Sequence, residues 1–84
     1  MRLISQDGTY DFPYENVVVY RNETSVACGI MPDIREKVLL GKYSSKAKAL
    51  KVMEMLREQY LATIYDYRTR PKVFKFPDDS EVEV

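Results

Sequence analysis

The sequence predicts an α+β fold with two layers, in which one long amphipathic helix packs on one face of an antiparallel meander sheet. Three observations lead to this prediction. Short β-branched and aromatic segments separated by turn residues fill the first half of the chain, a helical apolar spacing runs from Ser44 to about Arg68, and a last strand-like segment follows Pro71. With 84 residues, of which 45% are hydrophobic, the chain has the size and composition of a single globular domain.

The first half is predicted to form the meander. Residues 2–5 and 9–12 flank the turn signal Gln6-Asp7-Gly8, in which glycine tolerates a positive φ. Residues 17–20 and the alternating residues 24–30 form the next hairpin, with Asn22 as the residue better suited to a left-handed turn position. A strand over residues 37–43 then completes the meander.

The helix is predicted to begin at an N-cap serine, Ser44 or Ser45, and to end before Pro71. When successive residues are placed about 100° apart, one side of the helix carries the core-facing stripe. That stripe consists of Ala49, Val52, Met53, Leu56, Tyr60, Thr63, Ile64 and Tyr67. Residues 72–76 form the final strand after the helix, and this strand returns to the sheet as an edge or next to an N-terminal strand.

The composition argues against secretion and against membrane insertion. Cys28 is the single cysteine, so no intramolecular disulfide can form, whereas small secreted domains usually depend on disulfides. The N-terminus lacks the apolar core of a signal peptide, and the longest apolar run is far too short to cross a bilayer. We therefore expect a cytoplasmic protein with one domain over residues 1–77 and a flexible acidic tail over residues 78–84.

Catalytic chemistry is not predicted. The chain has no histidine, which removes the commonest general base and the commonest metal ligand. Cys28 lies in the middle of an apolar strand face, a position typical of a buried core residue. No phosphate-binding loop or dinucleotide fingerprint occurs, and the acidic C-terminal stretch lacks a preformed metal cage. We therefore expect a non-enzymatic protein with no cofactor and no metal.

Three apolar residues of the predicted helix lie well away from the centre of the core-facing stripe: Met55, Leu61 and Tyr65. Apolar residues grouped on the solvent side of one helix form a contact surface for a partner. We predict that they bind a protein partner or a second copy of the chain. Scattered surface residues and a second covering layer are the alternative interpretations.

Basic residues suggest an alternative function, binding of nucleic acid. The net charge of zero combines −2 over residues 1–35, +4 over residues 36–70 and −2 over residues 71–84. Lysines at the predicted helix start oppose the helix macrodipole, and aromatic residues interleave with the basic residues after the helix, a pattern that binds single strands. The acidic flanks make this alternative the less favoured one. The candidate anion or nucleic-acid contacts are Lys46, Lys48, Lys51, Arg68, Arg70 and Lys72.

Three stretches of the chain carry a resemblance to a known group of proteins: MRLISQDGTYDFPYE at the start, KALKVMEMLREQY in the helix and VFKFPDDSEVEV at the close. Together they resemble small uncharacterised proteins of phages, prophages and mobile elements of Gram-positive bacteria. The resemblance implies an intracellular bacterial setting and a mobile-element origin, and it transfers no functional residues. The sequence thus predicts a non-enzymatic accessory protein of a phage or mobile element that acts through protein–protein contact or self-association.

Overall fold

The computed structural model describes residues 1–30, 37–65 and 73–83, without the side chains of Thr63 and Tyr65. The described elements confirm the α+β class, the helix and the strand after the helix, and they confirm the meander for its last three strands, whereas the first two predicted strands belong to a separate sheet. In chain order they are β1 (Arg2–Ile4), β2 (Asp11–Pro13), a 3₁₀ turn (Tyr14–Asn16), β3 (Val17–Asn22), β4 (Ser25–Ile30), β5 (Val38–Lys42), α1 (Lys46–Tyr65), β6 (Val73–Lys75) and a second 3₁₀ turn (Asp79–Glu81).

The described strands form two three-stranded sheets. In the first sheet β1 lies in the middle, antiparallel to β2 and parallel to β6, so the last strand returns beside the first. The second sheet is the antiparallel meander β3-β4-β5. Gln6 joins the two sheets, because its backbone N–H donates to the carbonyl of Leu40 at 2.7 Å and its side chain bonds both backbone groups of Lys42.

The turn between β1 and β2 follows the prediction. Gly8 adopts a positive φ of 79°. The buried hydroxyl of Ser5 donates to the Asp7 carboxylate at 2.8 Å and accepts a hydrogen bond from the Tyr10 N–H at 2.9 Å. The Asp7 carboxylate also accepts from the N–H of Thr9 at 2.9 Å, so side chains satisfy the backbone groups that the reversal leaves unpaired.

The turn between β3 and β4 differs from the prediction at one residue. Asn22 ends β3 and pairs with Ser25, which leaves Glu23 and Thr24 to reverse the chain. Glu23 adopts the left-handed conformation, with a φ of 58°, so the assignment of that position to Asn22 is wrong. The register of the hairpin, rather than the intrinsic preference of asparagine, decides which residue takes the costly conformation.

The two sheets and α1 enclose a common core, to which both sheets and the helix contribute. Among the described elements, α1 lies mainly against β3 and β4. Cys28 is fully buried there, as predicted, and Ala49, Val52 and Leu56 confirm the centre of the predicted helix stripe. The largest fully buried side chains include Leu3, Val26, Leu40, Val52, Leu56 and Phe76.

The buried stripe of α1 is narrower than predicted. Ile64 is 52% exposed, so its assignment to the core is wrong, while Met53 and Tyr60 are partly buried. At about 100° per residue, Ile64 lies roughly 80° around the helix from Leu56, beyond the side that the sheet covers. The remaining stripe positions, the Thr63 side chain and Tyr67, lie outside the described residues. No helix in the described part of the chain has both the length and the apolar character that crossing a membrane requires.

The acidic end of the chain packs onto the domain, which corrects the expected tail. Val82 is 3% exposed and belongs to the core. It follows the second 3₁₀ turn, in which the N–H of Asp78 donates to the Glu81 carboxylate at 2.9 Å. The packed domain therefore extends past residue 77 to at least Val82, because one apolar side chain among the acids has a place in the core.

Candidate interaction surfaces

The start of α1 is held by the acidic end of the chain. Ser45 acts as the N-cap, since its hydroxyl accepts a hydrogen bond from the Lys48 N–H at 3.2 Å. The Asp79 carboxylate accepts from the Ser44 N–H at 2.7 Å, and the Lys48 ammonium reaches the Asp79 carbonyl at 2.8 Å and its carboxylate at 3.5 Å. A carboxylate beside the helix start complements the macrodipole that the lysines oppose. We term Ser44, Lys48 and Asp79 the latch.

The electrostatics of this end agree with the latch. The hydrogen bond from the Ser44 backbone N–H, with a smaller contribution from Lys48, lowers the pKa of Asp79 from its ordinary 3.8. Burial, followed by the nearby carboxylates of Asp78, Asp79 and Glu81, raises the pKa of Tyr43. The Tyr43 hydroxyl therefore stays protonated and donates to the carbonyl of Pro77 at 2.9 Å.

The predicted basic contacts are only partly gathered on one surface. Lys48 belongs to the latch, and Lys51 lies 3.9 Å from Glu54 one turn along the helix. Lys46 is exposed. Arg68, Arg70 and Lys72 lie outside the described residues. Two of the three described lysines thus have an acidic neighbour, Lys48 in the latch and Lys51 at Glu54, and nucleic-acid contact through Lys46 and Lys51 stays a prediction.

Three apolar side chains on one side of α1 are about half exposed: Leu50 at 49%, Leu61 at 50% and Ile64 at 52%. Placed at about 100° per residue, they fall within roughly 60° of one another. We term these residues the helix patch. From the sequence, Leu61 was expected on this surface, Leu50 was not, and Ile64 was expected in the core. The spacing i, i+11, i+14 could have linked all three residues, since it returns to the same side of a helix.

A tyrosine pair separates the helix patch from the core. Tyr60 lies on the same flank of α1, and its ring contacts that of Tyr14 with the centroids 4.5 Å apart. Tyr14 comes from the first 3₁₀ turn, directly before β3. This contact closes the flank of the core at Tyr60, which leaves the residues of the helix patch beyond it.

Met55 does not belong to the same surface as Leu61. It is partly buried against the core, and with Glu58, Gln59, Ala62 and Phe74 it lines a cleft of about 360 Å³ beside α1. Leu61 lies six residues further on, which is roughly 120° around the helix. The structure therefore separates two members of the predicted partner surface, and the third, the Tyr65 side chain, lies outside the described residues.

The second sheet also presents apolar side chains on the face opposite the core. Val18 on β3 is 42% exposed and Leu39 on β5 is 47% exposed. Between them, Ala27 on β4 pairs with Tyr20 and Leu39 and is fully buried. This outer face and the helix patch lie on different elements, so the two can be tested separately.

The described residues show no arrangement that indicates catalysis. Burial raises the pKa of the Cys28 thiol, which disfavours the thiolate that nucleophilic chemistry needs. Among the same residues, no cluster of three or more acidic or cysteine side chains is placed to hold a metal ion.

Comparisons with known proteins give no relative. No family model matches the chain, and neither a curated protein nor a solved structure matches it. The resemblance to phage and mobile-element proteins therefore stays a prediction.

Proposed function

We propose that this chain is a non-enzymatic accessory protein that acts through protein–protein contact, with the helix patch as its binding surface. The observation that carries the proposal is the exposure of Leu50, Leu61 and Ile64 on one side of a helix whose core-facing residues are buried. Complete burial of a side chain of this kind is worth about 1.5–3 kcal/mol. The fold leaves about half of each side chain in water, and a partner that covers all three gains the remainder.

The surroundings of the helix patch indicate the kind of partner. Exposed Glu54, Arg57 and Glu58 lie along the same helix and carry both signs of charge. At about 100° per residue, Arg57 lies between Leu50 and Leu61 on the same side of the helix, so this side mixes apolar and charged residues, as does a helix that docks into a groove of another protein. An accessory role inside a bacterium that carries a phage or mobile element is the setting that the sequence resemblance implies.

The proposal is tested by retention of bacterial proteins on the immobilised chain. The Leu61→Glu, Ile64→Glu double variant places charge on the helix patch, and Leu39→Glu is the matched control, because Leu39 is a similarly exposed apolar residue on another element. We expect proteins retained by the wild type and by the control to be lost from the double variant. Retention of the same proteins by all three would overturn the helix patch as the binding surface.

Nucleic-acid binding is the competing outcome. A titration of labelled single- and double-stranded DNA at low salt measures it directly. We expect no binding, because the overall charge is balanced and Lys48 is occupied by Asp79. Binding that weakens steeply with added salt, and that is lost on substitution of Lys46 and Lys51, would instead assign the chain to nucleic acid.

A further inference from the structure

The second sheet has one occupied edge and one open edge. At β5, the Leu40 carbonyl accepts from the Gln6 backbone, and the Lys42 backbone bonds the Gln6 side chain. At the opposite edge, β3 has β4 as its only partner strand within the described residues. Among the described strands, none therefore bonds the outward-facing backbone groups of β3.

Edge strands of natural proteins are usually protected by short length, charge, proline or a bulge. Three described edges follow this rule. β2 and β6 are only three residues long, and β5 carries an irregularity in its pairing with β4 opposite Val26 and Ala27. β3 is six residues long and regularly paired, with no proline, and its single charge is Arg21. It is the unprotected edge among the described strands.

We propose that β3 pairs antiparallel with β3 of a second copy of this chain, about a two-fold axis at Val19, so that two meanders join into one six-stranded sheet. This surface is distinct from the helix patch, and the inference goes beyond the proposed function. Its consequence is a homodimer that presents two helix patches at once.

The backbone of β3 is complementary to itself in this register. Because Asn22 pairs with Ser25 around a two-residue loop, residues 18, 20 and 22 exchange hydrogen bonds with β4. The backbone groups of Val17, Val19 and Arg21 then point to the open edge. With the axis at Val19, Val17 lies opposite the partner's Arg21, and Val19 lies opposite the partner's Val19. Each outward backbone N–H then faces a carbonyl of the other copy.

The side chains of β3 match in the same register. On the outer face, half-exposed Val18 lies opposite the partner's Tyr20, and aromatic residues paired with β-branched residues across strands are favourable. On the other face, Arg21 lies opposite the partner's Val17, beside the 3₁₀ turn that carries exposed Glu15. Because the Glu15 carboxylate already pairs with the Met1 ammonium at 3.2 Å, the two Val18–Tyr20 pairs, one on each side of the axis, are what favours a second copy over an unrelated strand.

The register is tested by solution mass from light scattering over a range of concentrations. The Val18→Lys, Tyr20→Lys double variant places like charges opposite each other across the axis, and the Val18→Lys, Tyr20→Glu variant places opposite charges there. Leu39→Lys is the matched control at the other edge of the same face. Circular dichroism verifies that each variant is folded.

We expect a wild-type dimer whose dissociation constant rises by about tenfold or more in the Lys/Lys variant, and recovers in the Lys/Glu variant. The Leu39→Lys control and the Leu61→Glu, Ile64→Glu variant should stay dimeric. A wild type that is monomeric at every concentration, or a Lys/Lys variant that dimerises like the wild type, would overturn the inference. Dissociation by Leu39→Lys or by the helix-patch variant would overturn it too, by assigning the dimer to the outer face or to the helix.

Discussion

The two ends of α1 differ in what holds them. At its start, the Asp79 carboxylate bonds the Ser44 backbone and the Lys48 side chain, and Val82 fills the core nearby. Toward its end, Leu61 and Ile64 are each about half exposed. One helix thus has a start that is fixed by polar contacts and carries one residue of the helix patch, Leu50, and an end that carries the other two, Leu61 and Ile64. We infer that the first serves stability and the second serves binding.

The largest effect expected at the fixed end comes from Val82→Asp. A carboxylate at this buried position loses its water without gaining a partner, so we expect the free energy of unfolding to fall by about 3 kcal/mol or more. Urea denaturation measures the change, and Glu83→Gln, at an exposed neighbour, is the control. Equal stability of both variants would mean that the C-terminal residues do not pack on the domain.

A smaller loss is expected from Gly41→Ala at the same end. A Cβ atom at residue 41 would lie 2.8 Å from the Tyr43 hydroxyl oxygen and 3.0 Å from its ring. The ring is buried and its hydroxyl is bonded to Pro77, so it cannot withdraw freely. Overpacking of this kind costs about 1–3 kcal/mol. Thermal unfolding measures this cost, with Lys42→Ala at the exposed neighbour as the control. An unchanged unfolding midpoint in Gly41→Ala would show that the Tyr43 ring can move.

The latch itself is tested by Asp79→Asn together with pH. Because the folded state lowers the pKa of Asp79, its stabilising contribution is complete above the ordinary value of 3.8 and is lost as the pH falls through the lower folded value. We expect the variant to be less stable than the wild type at pH 7, and the difference to shrink below about pH 3.8. Urea unfolding at pH 7 and below pH 3.8 measures the difference in stability between the two proteins. A difference that does not change with pH would contradict the latch.

The smallest effect on stability is expected in the turn between β3 and β4. This turn contacts the residues before α1, because the Thr24 carbonyl accepts a hydrogen bond from the Tyr43 N–H at 3.0 Å. Glu23 holds a left-handed φ there, which asparagine tolerates better than glutamate. We expect Glu23→Asn to raise the free energy of unfolding by about 0.5 kcal/mol. A loss of stability in urea denaturation would show that the Glu23 side chain contributes more than its conformation costs.

Local signals in the sequence were sufficient for the elements. Turn residues and alternation predicted the meander, Ser45 was among the predicted N-caps, and the apolar face of β4 predicted buried Cys28. These features depend on residues close together in the chain, where spacing carries the information.

Contacts between distant parts of the chain were not predictable in the same way. The acids around Val82 indicated a solvated tail, and the role of Asp79 depends on Ser44, 35 residues away. The division of the helix surface also depends on its neighbours, since Tyr14 closes one flank and a cleft opens beside Met55 on the other. Helical spacing predicts an apolar side, but the width of the sheet beneath decides how much of it is buried.

The difference between the two ends of α1 is tested most directly by urea unfolding of the Leu61→Glu, Ile64→Glu variant. If the helix patch is free for binding, the free energy of unfolding falls by about 1 kcal/mol for each substitution, because the fold itself covers only half of each side chain. A loss of several kcal/mol for each substitution would show that Leu61 and Ile64 are part of the folded core, and it would contradict the assignment of this surface to a partner.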